Sequence, residues 1–258
     1  TLADYHAVQS WIGSSTDFGR HGAILVGDFL FSAATAAADE QALTLREDCA
    51  RAFARRFADM HAEVALGQYL DITAEQTPLD PERTDALSTS DSLEVALHKS
   101  AHYSVVHPAL LGAICGASSF DRVADLLDVL ETILTPWGLA FQLRDDDLGV
   151  FGDPAVTGKP AGDDLREGKR TALLALTWEA SSPAERRALT DVLGVAEASA
   201  EQIATATDIV ERNGRAAHEA EIARLVADGD AALEASTFDE DARAMLRELC
   251  SILTARRA

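Results

Sequence analysis

The sequence predicts an all-α fold, and three observations carry that prediction. Hydrophobic residues make up 47% of the chain but aromatics only 6%, so the core is built mainly from Ala, Leu and Val, a set suited to close helix packing. Apolar residues recur at three- and four-residue steps over long stretches. No segment alternates apolar and polar residues with β-branched enrichment, so strands are expected to be absent or minor.

Taken in order, the elements begin with Gly19 to Ala38 (GRHGAILVGDFLFSAATAAA), apolar on nearly every face, as for a helix surrounded by other helices. Asp28 is its conspicuous exception and reads either as a buried, hydrogen-bonded residue or as a ligand. From about Gln41 to Asp71 an amphipathic helix places Leu45, Cys49, Phe53, Phe57, Met60 and Val64 on one stripe and ends in GQYLD. After a polar loop, another helix starts near Ser90, capped by Asp91 or Ser92, and carries Lys99 until Pro108 interrupts it. Phe120 to Val150 is long and helical, with Val123, Leu127, Leu130 and Leu134 facing inward and a kink or division at Pro136. Shorter amphipathic helices follow around 171–180, 183–193, 199–230 and 238–256, with Gly214 a break. The 258 residues suffice for a sizeable core, and residues 1–258 read as one helical domain.

Charge narrows the function. With 43 acidic against 22 basic residues the chain carries a formal −21, which repels nucleic acid and anionic lipid at long range. Phosphorylated substrates remain compatible if metal ions reverse the local field. Cys49, Cys115 and Cys250 lack paired spacing and read as reduced core residues of a cytoplasmic protein. No stretch is read as approaching a membrane-spanning length, so no stable membrane insertion is expected.

Chemistry concentrates between Arg144 and Arg170, where seven carboxylates and five cations lie together. Asp145, Asp146 and Asp147 close an apolar helix, where they repel one another unless divalent cations are present. Oxygen ligands without His or Cys suit Mg²⁺ and argue against zinc. Gln142 shares a helix face with Asp145 and Asp146. The glycines that follow allow close backbone approach, and Lys159 and Lys169 offer ammonium groups to phosphate oxygens.

The run FQLRDDDLGVFGDPAVTGKPAGDDLREGKRT resembles the second aspartate-rich region of the trans-isoprenyl diphosphate synthases, the farnesyl and geranylgeranyl diphosphate synthase family, nearest to its bacterial short-chain type. GRHGAILVGDFL, GQYLD and HKSAHYSVVHP resemble further elements of that family, in the family's order. The resemblance implies an isoprenoid-synthase-type helical bundle around a central cavity. It implies Mg²⁺ held by Asp145 and Asp146, with Asp164 completing the metal shell. Lys99, Lys159 and Lys169 would contact diphosphate oxygens, and Gln68, Asp71 and Gln142 would line the cavity. From the residues alone, Lys99 reads equally as a helix-surface lysine, and Gln68 with Asp71 as an ordinary helix C-terminus. The implied substrates are isopentenyl diphosphate and an allylic diphosphate, condensed to a short-chain product by a homodimer packed through central helices.

Two departures qualify the resemblance. The family's DDxxD has Gly149 at its fifth position here, as in some bacterial members. Residues 1–20 contain only Asp4 and Asp17, so the family's first aspartate-rich motif is not in this sequence, and its N-terminal helices are expected to be lacking. On that reading these residues alone are expected to be inactive, and a longer chain with DDxxD active. The alternatives are a non-catalytic synthase-like subunit that modulates an active partner, and a class I terpene cyclase. His21, His98, His102 and His107 show no metal-binding spacing.

Overall fold

A computed structural model describes residues 1–152 and 162–255, and among them every regular element is helical. A short α1 (Leu2–Val8) leads into α2 (Ser15–Ala42) and α3 (Glu47–Gln76). Next come α4 (Thr89–Ala96), a π-helical stretch (Leu97–Val106) and α5 (His107–Gly116), which run on as one continuous helix. The long α6 (Ala124–Phe151) is followed by α7 (Asp163–Glu167), α8 (Ala172–Ala180) and α9 (Pro183–Thr190). The C-terminal part is α10 (Ala200–Asn213), α11 (Arg215–Ala235) and α12 (Glu240–Thr254).

Helix α6 organises the rest, packing against the π-helical stretch, α11 and α12. The stripe read from sequence is its buried face: Val123, just ahead of the helix, and Leu127, Leu130 and Leu134 are at most 9% exposed. Pro136 lies inside α6 without dividing it. Trp137, fully buried, donates its indole N–H to the Val226 carbonyl on α11 at 3.3 Å.

Three sequence expectations are corrected here. Pro108 does not interrupt its helix. The backbone N–H of His107 bonds the carbonyl of His102, five residues back. That wider turn accommodates a proline ring that would clash with the carbonyl four residues back in a regular α-helix. Helix α3 runs past GQYLD to Gln76, because no helix-ending residue follows Asp71.

The third correction concerns α2, which has no buried residue. Its Leu25 and Phe29 are 68% and 71% exposed, and Asp28 is exposed rather than buried. Apolar composition shows that a helix needs cover but not what covers it; within the chain α2 packs on α1 and α3. By length and composition α2 is also long and apolar enough to cross a membrane, contrary to the expectation that no stretch approaches a spanning length.

Candidate functional site

Four elements converge on a cavity of about 160 Å³: the C-terminal half of α3, the α4–π helix, the end of α6, and the segment from α7 into α8. Asp71, Lys99, Gln142, Asp145, Asp146, Asp164 and Lys169 all line it. These are sequence-expected site residues brought together from positions up to a hundred residues apart. Gln68 is not among them. Gly67 meets the backbone of Lys99, so Asp71, one turn later, shares that packed face while Gln68 is rotated off it to an exposed position. Lys159 lies outside the described residues.

The three aspartates of α6 have different surroundings, because successive helical residues point about 100° apart. Asp145 is exposed at the cavity. Asp146 is buried and accepts a hydrogen bond from the Gln142 amide at 2.8 Å. Asp147 points elsewhere, 99% buried, with its carboxylate 3.8 Å from Arg144 and 3.5 Å from Arg215. Burial pushes the Asp146 carboxyl up to about 8, with the charges of Asp164 and Asp145 adding to the shift against the Gln142 hydrogen bond. Ionising it therefore costs on the order of 5 kcal/mol relative to an ordinary carboxylate. A divalent cation beside it would reverse that balance, and an all-oxygen donor set of this kind fits Mg²⁺.

Gly149 explains how the fifth position of the motif can lack a carboxylate. A Cβ there would lie 1.9 Å from Oδ2 of Asp164. The space a side chain on α6 would take is thus filled by a carboxylate arriving from α7. Asp164 is 6% exposed and accepts a hydrogen bond from Lys169. Glycines make that loop-back possible: Gly168 ends α7 at φ +81°, in the left-handed region, and the Lys169 N–H then bonds the Asp164 carbonyl at 3.1 Å. Burial alone would depress the Lys169 ammonium, but Asp164 and Glu167 outweigh it and hold its pKa above the usual lysine range. Across the cavity Lys99 pairs with Asp71 at 2.5 Å.

Ser92, Ser100, Arg170 and Thr171 also line the cavity and were not among the expected site residues. The available signals were that Ser100 and Thr171 fall within the motifs that carry the family resemblance and that Arg170 is a cation next to Lys169. Its guanidinium is tied to the carbonyls of Gly168 and Glu75.

The polyprenyl synthetase family model matches residues 9–210. The chain belongs to the polyprenyl synthetase family. Among its relatives is the geranylfarnesyl diphosphate synthase of Aeropyrum pernix, 33% identical over 199 residues, 76% of this chain and 57% of that protein. The geranylgeranyl diphosphate synthase of Mycobacterium tuberculosis is 32% identical over 234 residues, 88% of this chain and 61% of that one. The chain therefore spans a little under two thirds of the length of these relatives. The crystal structure of geranylgeranyl pyrophosphate synthase from Corynebacterium glutamicum, complexed with isoprenyl diphosphate and magnesium, superposes with a TM-score of 0.87 at 35% identity. That match covers 99% of this chain and 69% of the other.

Proposed function

We propose that this polyprenyl synthetase serves as a short-chain prenyltransferase, condensing an allylic diphosphate with isopentenyl diphosphate, with Mg²⁺ held by Asp145, Asp146 and Asp164. The observation that carries the reading is the convergence of those three carboxylates with Lys99, Lys169 and Gln142 on one cavity. In the reaction the allylic C–O bond breaks and its electron pair leaves with diphosphate. The double bond of isopentenyl diphosphate then forms the new C–C bond, and a proton is lost. Bound Mg²⁺ would supply Lewis-acid stabilisation of the leaving diphosphate.

The chain's own residues do the rest. Lys99 and Lys169, with Lys159, neutralise diphosphate oxygens as point charges, exchanging Asp71 and Asp164 for the substrate. Gln142 orients the Asp146 carboxylate. With inorganic pyrophosphate as the probe, calorimetry should detect binding that requires Mg²⁺. Lys169→Ala should weaken it about 10- to 100-fold, the value of one charge-assisted hydrogen bond, and Asp145→Asn should abolish the Mg²⁺ requirement along with most of the affinity. Incorporation of labelled isopentenyl diphosphate, assayed with these residues alone and with a longer chain that carries DDxxD, then separates a synthase, whose longer chain turns over, from a non-catalytic subunit, which binds pyrophosphate without turnover at either length. A failure of Mg²⁺ to affect pyrophosphate binding overturns the reading.

We also propose a homodimer that covers α2. Asp28 near the middle of α2 supports a protein partner over lipid, since a carboxylate at a membrane centre costs about 2.5–3.5 kcal/mol on insertion scales. The free cysteines are compatible with a reducing, cytoplasmic setting. Sedimentation should give twice the 27.5 kDa chain mass, and the paired substitution Leu25→Asp with Phe29→Asp should shift the protein to monomer.

A further inference from the structure

One side-chain cluster outside the cavity has the donor set the cavity lacks. Glu63, on α3, faces three histidines from the adjoining helix. Its Oε1 lies 2.6 Å from Nδ1 of His98 and 2.6 Å from Nδ1 of His102, and its Oε2 lies 2.7 Å from Nε2 of His107. The ligand atoms of Glu63, His102 and His107 all lie within 4.8 Å of one another. His107 and His102 are 5% and 15% exposed, and His98 stands at the rim, one-third exposed.

The π-helical stretch makes this cluster. In a regular α-helix of 3.6 residues per turn, His98 and His107 are two and a half turns apart and point to opposite sides. In the wider π-helix, with its i to i+5 hydrogen bonds, nine residues make roughly two turns. All three rings then face α3. Burial opposes ionisation of Glu63, but hydrogen bonds from His107, His98 and His102 outweigh it and hold the carboxyl at about 2. The cluster is thus an anionic carboxylate ringed by imidazoles, and the unpartnered, buried Nδ1 of His107 leaves Nε2 as that ring's polar attachment.

We propose that Glu63, His102 and His107, with His98 or water in the fourth position, bind a zinc-type divalent transition-metal ion. Imidazole nitrogens with one carboxylate match the preference of such ions, whereas Mg²⁺ takes oxygen. Tetrahedral zinc with bonds near 2.0–2.1 Å sets its ligand atoms roughly 3.3 Å apart, within the spread already present here. On binding, each ligating ring nitrogen presents its lone pair and its proton moves to the opposite ring nitrogen or to solvent. The ion would tie α3 to the π-helical stretch one turn from Gly67, beside the backbone of Lys99. Its role is to fix that helix pair, and it does not depend on what the cavity binds.

Chelator-treated protein titrated with Co²⁺ tests this directly. In millimolar Mg²⁺, which keeps the carboxylates of the cavity occupied, the expected result is one Co²⁺ per chain, with visible absorption of a four-coordinate nitrogen and oxygen site that is retained in Asp145→Asn. His102→Gln should weaken binding by about 100-fold or more. Should that variant not fold, ¹⁵N histidine spectra of the wild-type protein decide: Zn²⁺ must shift Nδ1 of His102 and Nε2 of His107. Folded protein that shows no Co²⁺ absorption, a site lost in Asp145→Asn, or ring nitrogens unmoved by Zn²⁺ overturns the proposal.

Discussion

Gly149→Asp, although it regenerates DDxxD, is expected to lose Mg²⁺-dependent pyrophosphate binding by about 100-fold or more. The side chain would have to occupy the volume where Asp164 lies, since even a Cβ comes within 1.9 Å of Oδ2 and 2.4 Å of Cγ. Aspartate is short, and this one is buried and held by Lys169, so it cannot swing aside while its backbone stays in α7. Displacing it separates a buried ion pair, and a pair broken in that way costs about 3–5 kcal/mol. A fourth carboxylate beside Asp145 and Asp146 also adds repulsion where burial already keeps Asp146 up to about 8. Calorimetry with pyrophosphate and Mg²⁺ checks the outcome. Gly149→Ala separates the two causes, because it brings the clash without the charge. If Gly149→Asp bound pyrophosphate as well as the parent, Asp164 would not be taking the place of the fifth-position carboxylate.

What the sequence made legible follows from which interactions repeat. The α6 stripe repeats every three to four residues and every member of it is buried, so periodicity found the central helix and its inner face. Gly214 marked the junction between α10 and α11 for an equally local reason. The cavity residues on α6 and α7 stood out because charges packed so densely need a partner. Spatial relations between distant segments were not legible. Nothing near Gly149 in sequence tells that Asp164 fills its side-chain space, and Gln68 differs from Asp71 only by its angle around α3. The histidine cluster escaped for a sharper reason. Spacings of four and five residues spread these rings around an α-helix, whereas the structure sets them on a π-helix. Composition likewise does not encode which faces of α2 the rest of the chain packs against.

The contact between α3 and the π-helical stretch is the other place where one atom should have a large effect. A Cβ on Gly67 would lie 2.4 Å from the Lys99 nitrogen and 2.6 Å from the His98 carbonyl carbon, and both are backbone atoms. Side chains can rotate away from an intruding methyl, but two packed helix backbones must move apart as bodies. Overpacking costs about 1–3 kcal/mol, and a clash between two backbones stands at the upper end of that range, so Gly67→Ala should lower the melting temperature by roughly 6–12 °C for a chain of this size. The displacement should act on both sides of Gly67 along α3. One turn ahead, Glu63 would withdraw from the three histidines, and one turn behind, Asp71 would withdraw from Lys99. Gly67→Ala should therefore weaken Co²⁺ and pyrophosphate binding together in protein that is still folded, measured well below its melting temperature. Lys169→Ala, acting from α8's side of the cavity, should weaken pyrophosphate binding alone. Parallel titrations of the two variants check this, and a Gly67→Ala protein that melts with the parent would mean that α3 and the π-helical stretch are not in backbone contact.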